Sequence, residues 1–170
     1  MASTTPYASV INQSRARRPL LQDLRFLVVD DDLTATEGVK ALLKKLGVRH
    51  VHTAISGGEA LELLTGKKYH FDCVITDVHM PMGNGLELLH YIRTCTVVRN
   101  FRPDMPVVMM SGMASPKVAS TARMLDVSAF LVKPFSVHAL QKAVFAARRR
   151  TFPLDYRRYL GLDAEALQVA

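Results

Sequence analysis

Carboxylates, a hydroxyl and an ammonium recur at one kind of position in this sequence, the carboxyl end of a short apolar run. Phe26 to Val29 runs into Asp30, Asp31 and Asp32, and Cys73 to Thr76 ends at Asp77. Pro106 to Met110 ends at Ser111, and Ala129 to Val132 ends at Lys133 with Pro134 behind it. Short apolar runs bounded by Gly and Pro signals read as strands buried on both faces. In an open parallel sheet the carboxyl ends face one edge, where ligands bind, so the acids, Ser111 and Lys133 converge. Carboxylates crowded into one pocket disfavour each other's ionisation unless a cation joins them. An oxygen-only set of two or three carboxylates with water suits Mg²⁺, with Mn²⁺ acceptable. The hydroxyl and the ammonium are then placed to hold the oxygens of a phosphoryl group on Asp77.

The elements that must position these groups alternate between strand and helix. Thr34 to Leu46 carries an apolar stripe at Val39, Leu42, Leu43 and Leu46 and is closed by Gly47. His50 to Ala54 reads as a strand and Gly58 to Leu64 as a helix ending near Gly66. Leu86, Leu88, Leu89, Tyr91 and Ile92 mark the helix after Asp77, and Lys117 to Leu125 the next. Ser136 caps a last helix running to about Arg149. The connection from Thr94 to Asp104 is a few residues longer than such units need. This alternation gives an α/β fold, a doubly wound five-stranded parallel sheet with helices on both faces. The expected organisation is a disordered arm over 1–23, one domain over 24–150, and a C-terminal extension over 151–170, neither extension being long enough for a DNA-binding output domain.

Taken in order, these residues resemble the receiver domain of bacterial two-component response regulators, from Leu24 to Arg148. The resemblance implies a flavodoxin-like, CheY-like fold and a stand-alone receiver. It makes Asp77 the phosphoacceptor. Asp30, Asp31, Asp77 and the backbone carbonyl of His79 become the Mg²⁺ ligands. Ser111 and Lys133 would contact the phosphoryl group, and Phe130 would sit at the aromatic switch with Ser111. Gly85 falls at the glycine of the loop after the acceptor, and the Lys133–Pro134 bond is expected to be cis. The implied partners are a sensor histidine kinase or histidine phosphotransfer protein and a downstream protein. The chain would be a phosphoacceptor that catalyses its own phosphotransfer and dephosphorylation, not an enzyme acting on other substrates. Three departures stand out. Gly83-Asn84 replaces a common Met-Asp, which suggests a more flexible loop. Phe130 replaces a frequent tyrosine. Ser136 to Arg150 lacks Asp and Glu, which removes the usual salt-bridged dimer and leaves a monomer or weak dimer.

Other readings compete at particular residues. Asp30-Asp31-Asp32-Leu33-Thr34 also fits the nucleophile motif of haloacid-dehalogenase-type phosphatases, with Asp30 as nucleophile and Asp32 as general acid. That reading lacks an acidic pair after Lys133 and leaves Asp77 idle. A third reading is a pseudo-receiver that never carries phosphate, and a fourth a middle station of a phosphorelay. Asp32 itself reads best as a helix cap. His50 and His52 have metal-type spacing without partners and read as solvent-facing. The formal charge of +7 divides as +3 over 25–147 with +2 on either side. Such a spread makes nucleic acid an improbable partner, and Arg148, Arg149, Arg150, Arg157 and Arg158 read as a solvated helix end. No apolar run reaches about 18 residues, so no membrane insertion is expected. Cys73 and Cys95 suggest no disulfide framework, which fits the cytoplasm. Phe152, Tyr156 and Tyr159 are expected to pack the tail back on the domain near Phe130 and the final core helix, or to dock the partner.

Overall fold

Each apolar run becomes a strand of one parallel sheet. The computed structural model describes residues 20–95, 98, 101–113 and 115–169. The strands are β1 (Arg25–Val29), β2 (His50–Ala54), β3 (Cys73–Asp77), β4 (Val107–Ser111) and β5 (Ala129–Val132). The helices are α1 (Leu33–Lys45), α2 (Gly57–Thr65), α3 (Gly85–Thr94), α4 (Pro116–Met124), α5 (Val137–Arg149) and α6 (Tyr156–Leu160). The strand order is β2-β1-β3-β4-β5, with every pairing parallel.

Helix starts are set by side chains directly behind the strand ends. Asp32, Ser56, Asn84, Ser115 and Ser136 each accept a backbone N–H in the first turn of the following helix, a contact worth about 1 kcal/mol each. At the other end of α1 the chain turns through Gly47 at φ 87°, where its N–H donates to the Lys44 carbonyl at 2.9 Å. The left-handed conformation there favours glycine.

Side chains alternate across the central strands, so the core has two layers. Leu27, Val29, Val74, Val107 and Met109 meet α2, α3 and α4, while Phe26, Val28, Ile75, Val108 and Met110 meet α1 and α5. All residues of β3 and β4 are buried, which explains why each is apolar up to the polar residues at its carboxyl end. The first layer continues into the C-terminal tail, where Tyr159 and Leu167 are buried and Leu154, Leu162 and Val169 pack against it. The tail therefore folds back, but across α3 and α4 and not along α5. Of the arm expected over 1–23, residues 1–19 lie outside the described residues. Leu21–Asp23 forms a turn of 3-10 helix, and Leu21 packs against the core.

Arg93 has no counterpart in the sequence reading. It sits in the last turn of α3, completely buried. Its guanidinium donates to the carbonyls of Pro103 (2.7 Å), Met105 (3.0 Å), Leu125 (3.1 Å) and Asp126 (2.9 Å). The long connection before β4 and the turn between α4 and β5 are thus pinned by one side chain.

Candidate functional site

Four strand ends deliver the chemical groups to the carboxyl edge of the sheet. Asp30 follows β1, Asp77 closes β3 beside it, Ser111 closes β4, and Lys133 follows β5. Asp30 and Asp77 are 2% and 6% exposed. Lys133 reaches past the end of β4, and its ammonium lies 2.6 Å from Asp30 Oδ2 and 2.6 Å from Asp77 Oδ1. Its backbone N–H donates to the Ser111 carbonyl at 2.7 Å, and the Lys133–Pro134 bond is cis. Burial alone would lower the ammonium's pKa; hydrogen bonds to Asp30 and Asp77 and their charges outweigh it and hold the pKa above the ordinary lysine value.

The remaining oxygens of the two carboxylates are oriented by backbone. Asp32 N–H donates to Asp30 Oδ1 at 3.0 Å, and His79 N–H donates to Asp77 Oδ2 at 2.6 Å. Asp32 turns away and caps α1 through Thr34 N–H at 2.8 Å, which leaves it no part as a general acid beside Asp30. Asp31 and the His79 side chain are exposed. Ser111 Oγ is fully buried but engaged elsewhere: it donates to the Met113 carbonyl at 2.8 Å and accepts Met113 N–H at 3.1 Å. Phe130 is half-buried against the α3–α4 layer.

The donor set suits a hard divalent cation. Asp30, Asp31 and Asp77 carry three negative charges, and Lys133 offsets one of them, leaving a net −2 on oxygen-only groups. Among the described residues no three His, Cys, Asp or Glu side chains form a ready-made metal cage.

Gly85 fixes the surroundings of Asp77. A Cβ there would lie 2.2 Å from the Asp77 carbonyl oxygen, so only glycine lets α3 begin against the end of β3. Its N–H donates to the Val78 carbonyl at 3.0 Å. The neighbouring Asn84 corrects the expectation of a looser loop. It is 8% exposed, shares a capping box with Glu87, and donates through Nδ2 to the Leu167 carbonyl at 3.0 Å.

The family model of the response regulator receiver domain matches residues 26–145. The chain belongs to the response regulator receiver family. This receiver is 34% identical over 123 residues to chemotaxis protein CheY-3 of Vibrio cholerae serotype O1, covering 72% of its own length and 90% of the relative's. Among solved structures it resembles a receiver domain protein from Clostridium thermocellum, with TM-score 0.64, 31% identity, and 74% and 94% of the two chains covered. It also resembles response regulator TrrA from Thermotoga maritima in complex with Mg(2+)-BeF, with TM-score 0.62, 27% identity, and 73% and 98% covered. No helix among the described residues of the receiver is long and apolar enough to cross a membrane.

A second cluster lies away from the sheet edge. Asp126, 7% exposed and at φ 52°, accepts the Tyr159 hydroxyl at 2.7 Å and pairs with Arg150 at 3.4 Å and with Arg158. His90 Nε2 bonds the Tyr159 carbonyl at 2.9 Å. Arg150 and Arg158 are therefore tail anchors, which corrects the reading of a wholly solvated arginine cluster. His52 is likewise not solvent-facing: its ring lies 4.3 Å from Tyr69 and 5.4 Å from Phe71, with Nδ1 buried and without a hydrogen-bond partner among the described residues. Desolvation there lowers its pKa, with Arg25, His50 and Lys68 adding to the effect.

Proposed function

We propose that this receiver accepts a phosphoryl group on Asp77 from the phosphohistidine of a sensor kinase or phosphotransfer protein. The observation that carries the reading is the ammonium of Lys133 bridging Asp30 and Asp77 at 2.6 Å each. One Asp77 carboxylate oxygen attacks phosphorus in line with the leaving imidazole. The O–P bond forms as the N–P bond breaks, and the electron pair of that bond returns to the donor's ring. Asp30, Asp31, Asp77 and the His79 carbonyl would hold Mg²⁺ together with water, and the cation would supply charge neutralisation at the phosphoryl oxygens. Lys133 then exchanges its contact with Asp77 for one with a phosphoryl oxygen, and Ser111 leaves Met113 to donate to another. Hydrolysis reverses the modification when water attacks phosphorus and the carboxylate leaves. The Mg(2+)-BeF complex of TrrA supports the reading, because beryllium fluoride stands in for a phosphoryl group. Signalling proceeds through a protein partner that distinguishes the two arrangements around Ser111 and Phe130. The two buried free thiols, Cys73 and Cys95, support a reducing compartment such as the cytoplasm.

Incubation with acetyl phosphate and Mg²⁺ is the test. Intact-mass spectrometry should show one acid-labile phosphoryl group, lost in Asp77→Asn and prevented by a chelator. Full labelling of Asp77→Asn, or labelling indifferent to the chelator, refutes the reading.

A further inference from the structure

Beyond α6 the tail is held at three successive carbonyls. Lys117 Nζ donates to Glu165 O (3.1 Å), Thr121 Oγ1 to Ala166 O (3.2 Å) and Asn84 Nδ2 to Leu167 O (3.0 Å). Between them the Leu167 side chain is buried at 8% exposure. The anchors are not scattered. Asn84 belongs to the loop that leaves the Asp77 strand and caps α3. Lys117 and Thr121 belong to α4, which the chain enters directly after the Ser111 loop. The segment thus ties together the piece of chain that leaves β3 at Asp77 and the piece that leaves the neighbouring β4 at Ser111.

Ser111 gives this tie a consequence. Its hydroxyl is closed onto Met113 by two hydrogen bonds, and Ser115, two residues further, caps α4 through Val118 N–H at 3.2 Å. Freeing the hydroxyl for a phosphoryl oxygen means releasing Met113, two residues before the Ser115 cap of α4. That helix is fastened to the Asn84 loop through the tail. We propose that residues 163–169 form an intramolecular strap that favours the Met113-bonded arrangement, so that strap seating and occupation of Asp77 oppose each other. The inference rests on the phosphoacceptor reading. Coupling between two sites is reciprocal: phosphate on Asp77 loosens the strap by the same factor by which the strap weakens occupation. The loosened strap uncovers Thr121 and the apolar seat of Leu167 on the α3–α4 face.

The experiment compares the full chain with one ending at Leu162, which keeps Tyr159 and its contacts. Beryllofluoride is titrated calorimetrically in the presence of Mg²⁺. The shortened chain should bind it at least about fivefold more tightly, and amide exchange at residues 165–167 of the full chain should speed up on binding. Full-length Lys117→Met/Thr121→Val, which deletes both α4 anchors while keeping Leu167, should move affinity the same way; it carries the comparison if the shortened chain fails to fold. Equal affinities within twofold, or exchange unaffected by beryllofluoride, overturn the strap while leaving the acceptor reading intact. Absence of binding by every version overturns both.

Discussion

Replacing Arg93 with methionine should damage this protein more than replacing any surface arginine. Methionine matches much of the side chain's length but has no donor. Four carbonyls lose their guanidinium partner, those of Met105, Leu125 and Asp126 in buried bonds and that of Pro103 in a partly buried one. An orphaned buried polar group costs about 1–3 kcal/mol, so the gross penalty for the three buried carbonyls is roughly 3–9 kcal/mol. Against this stands the cost of holding the charge inside. Burial drives the Arg93 pKa down to about 10, with Tyr159 and Asp126 drawing it partly back. At neutral pH the group remains charged, and relief from that desolvation returns several kcal/mol. The net loss should be about 3–5 kcal/mol, in line with breaking one side of a buried charged network. For a chain of this size each kcal/mol shifts Tm by roughly 2–4 °C, which gives a fall of roughly 6–20 °C. Loss of the face stacked 4.8 Å from Phe152 also unseats the start of the tail. Thermal and urea unfolding followed by circular dichroism measure the effect. A loss below about 1 kcal/mol would show that the carbonyls find other partners, and the staple argument would fail.

Gly85→Ala should cost stability and block phosphorylation together, because the added carbon would stand 2.2 Å from the Asp77 carbonyl oxygen; normal labelling by acetyl phosphate with an unchanged melting curve would contradict this. Cys73 should resist thiol reagents at pH 8 in the folded protein and react in urea, since burial chiefly, with Asp72 adding and Arg148 opposing, pushes its pKa up from 9.0 to about 12. The sign follows: the unfolded thiol ionises from about pH 9 while the folded one does not until about 12, so stability is lost as pH rises through that window. Cys73→Ala should flatten this part of the stability–pH curve, and an unchanged slope would show that burial of the thiol is not its cause.

The sheet and its chemical edge were legible because both are written locally. A run such as Cys73-Val74-Ile75 is apolar throughout only because it is covered on two sides, and the polar Thr76 and Asp77 that end it mark the edge. Helix starts were legible through Ser136, and Asp32 through its capping role. What stayed hidden depends on contacts between distant segments. Arg93 lies in the last turn of a helix, where a basic residue ordinarily complements the helix dipole, and nothing nearby announces four carbonyl partners. Asp126 follows α4 in a conformation that Asp tolerates, but its three tail partners lie 24 to 33 residues away. Asn84 was read as loosening a loop because its second partner, Leu167, is 83 residues downstream. His52 alternates correctly on β2, yet the aromatic floor that covers it comes from Tyr69 and Phe71 in another connection.

The bridge from Lys133 to Asp30 spans 103 residues of sequence and has a temporal meaning during synthesis. Both carboxylates leave the ribosome well before the ammonium that joins them, by several seconds for the Asp77–Lys133 interval at about 5–20 residues per second. An early docking of β1 beside β3 would press two like charges together with nothing between them, which opposes premature closure of that half. Arrival of β5 removes the opposition and completes the Asp30–Lys133–Asp77 bridge in the same event. A nascent or prematurely terminated chain therefore has its Asp77 but not the ammonium that bridges it to Asp30.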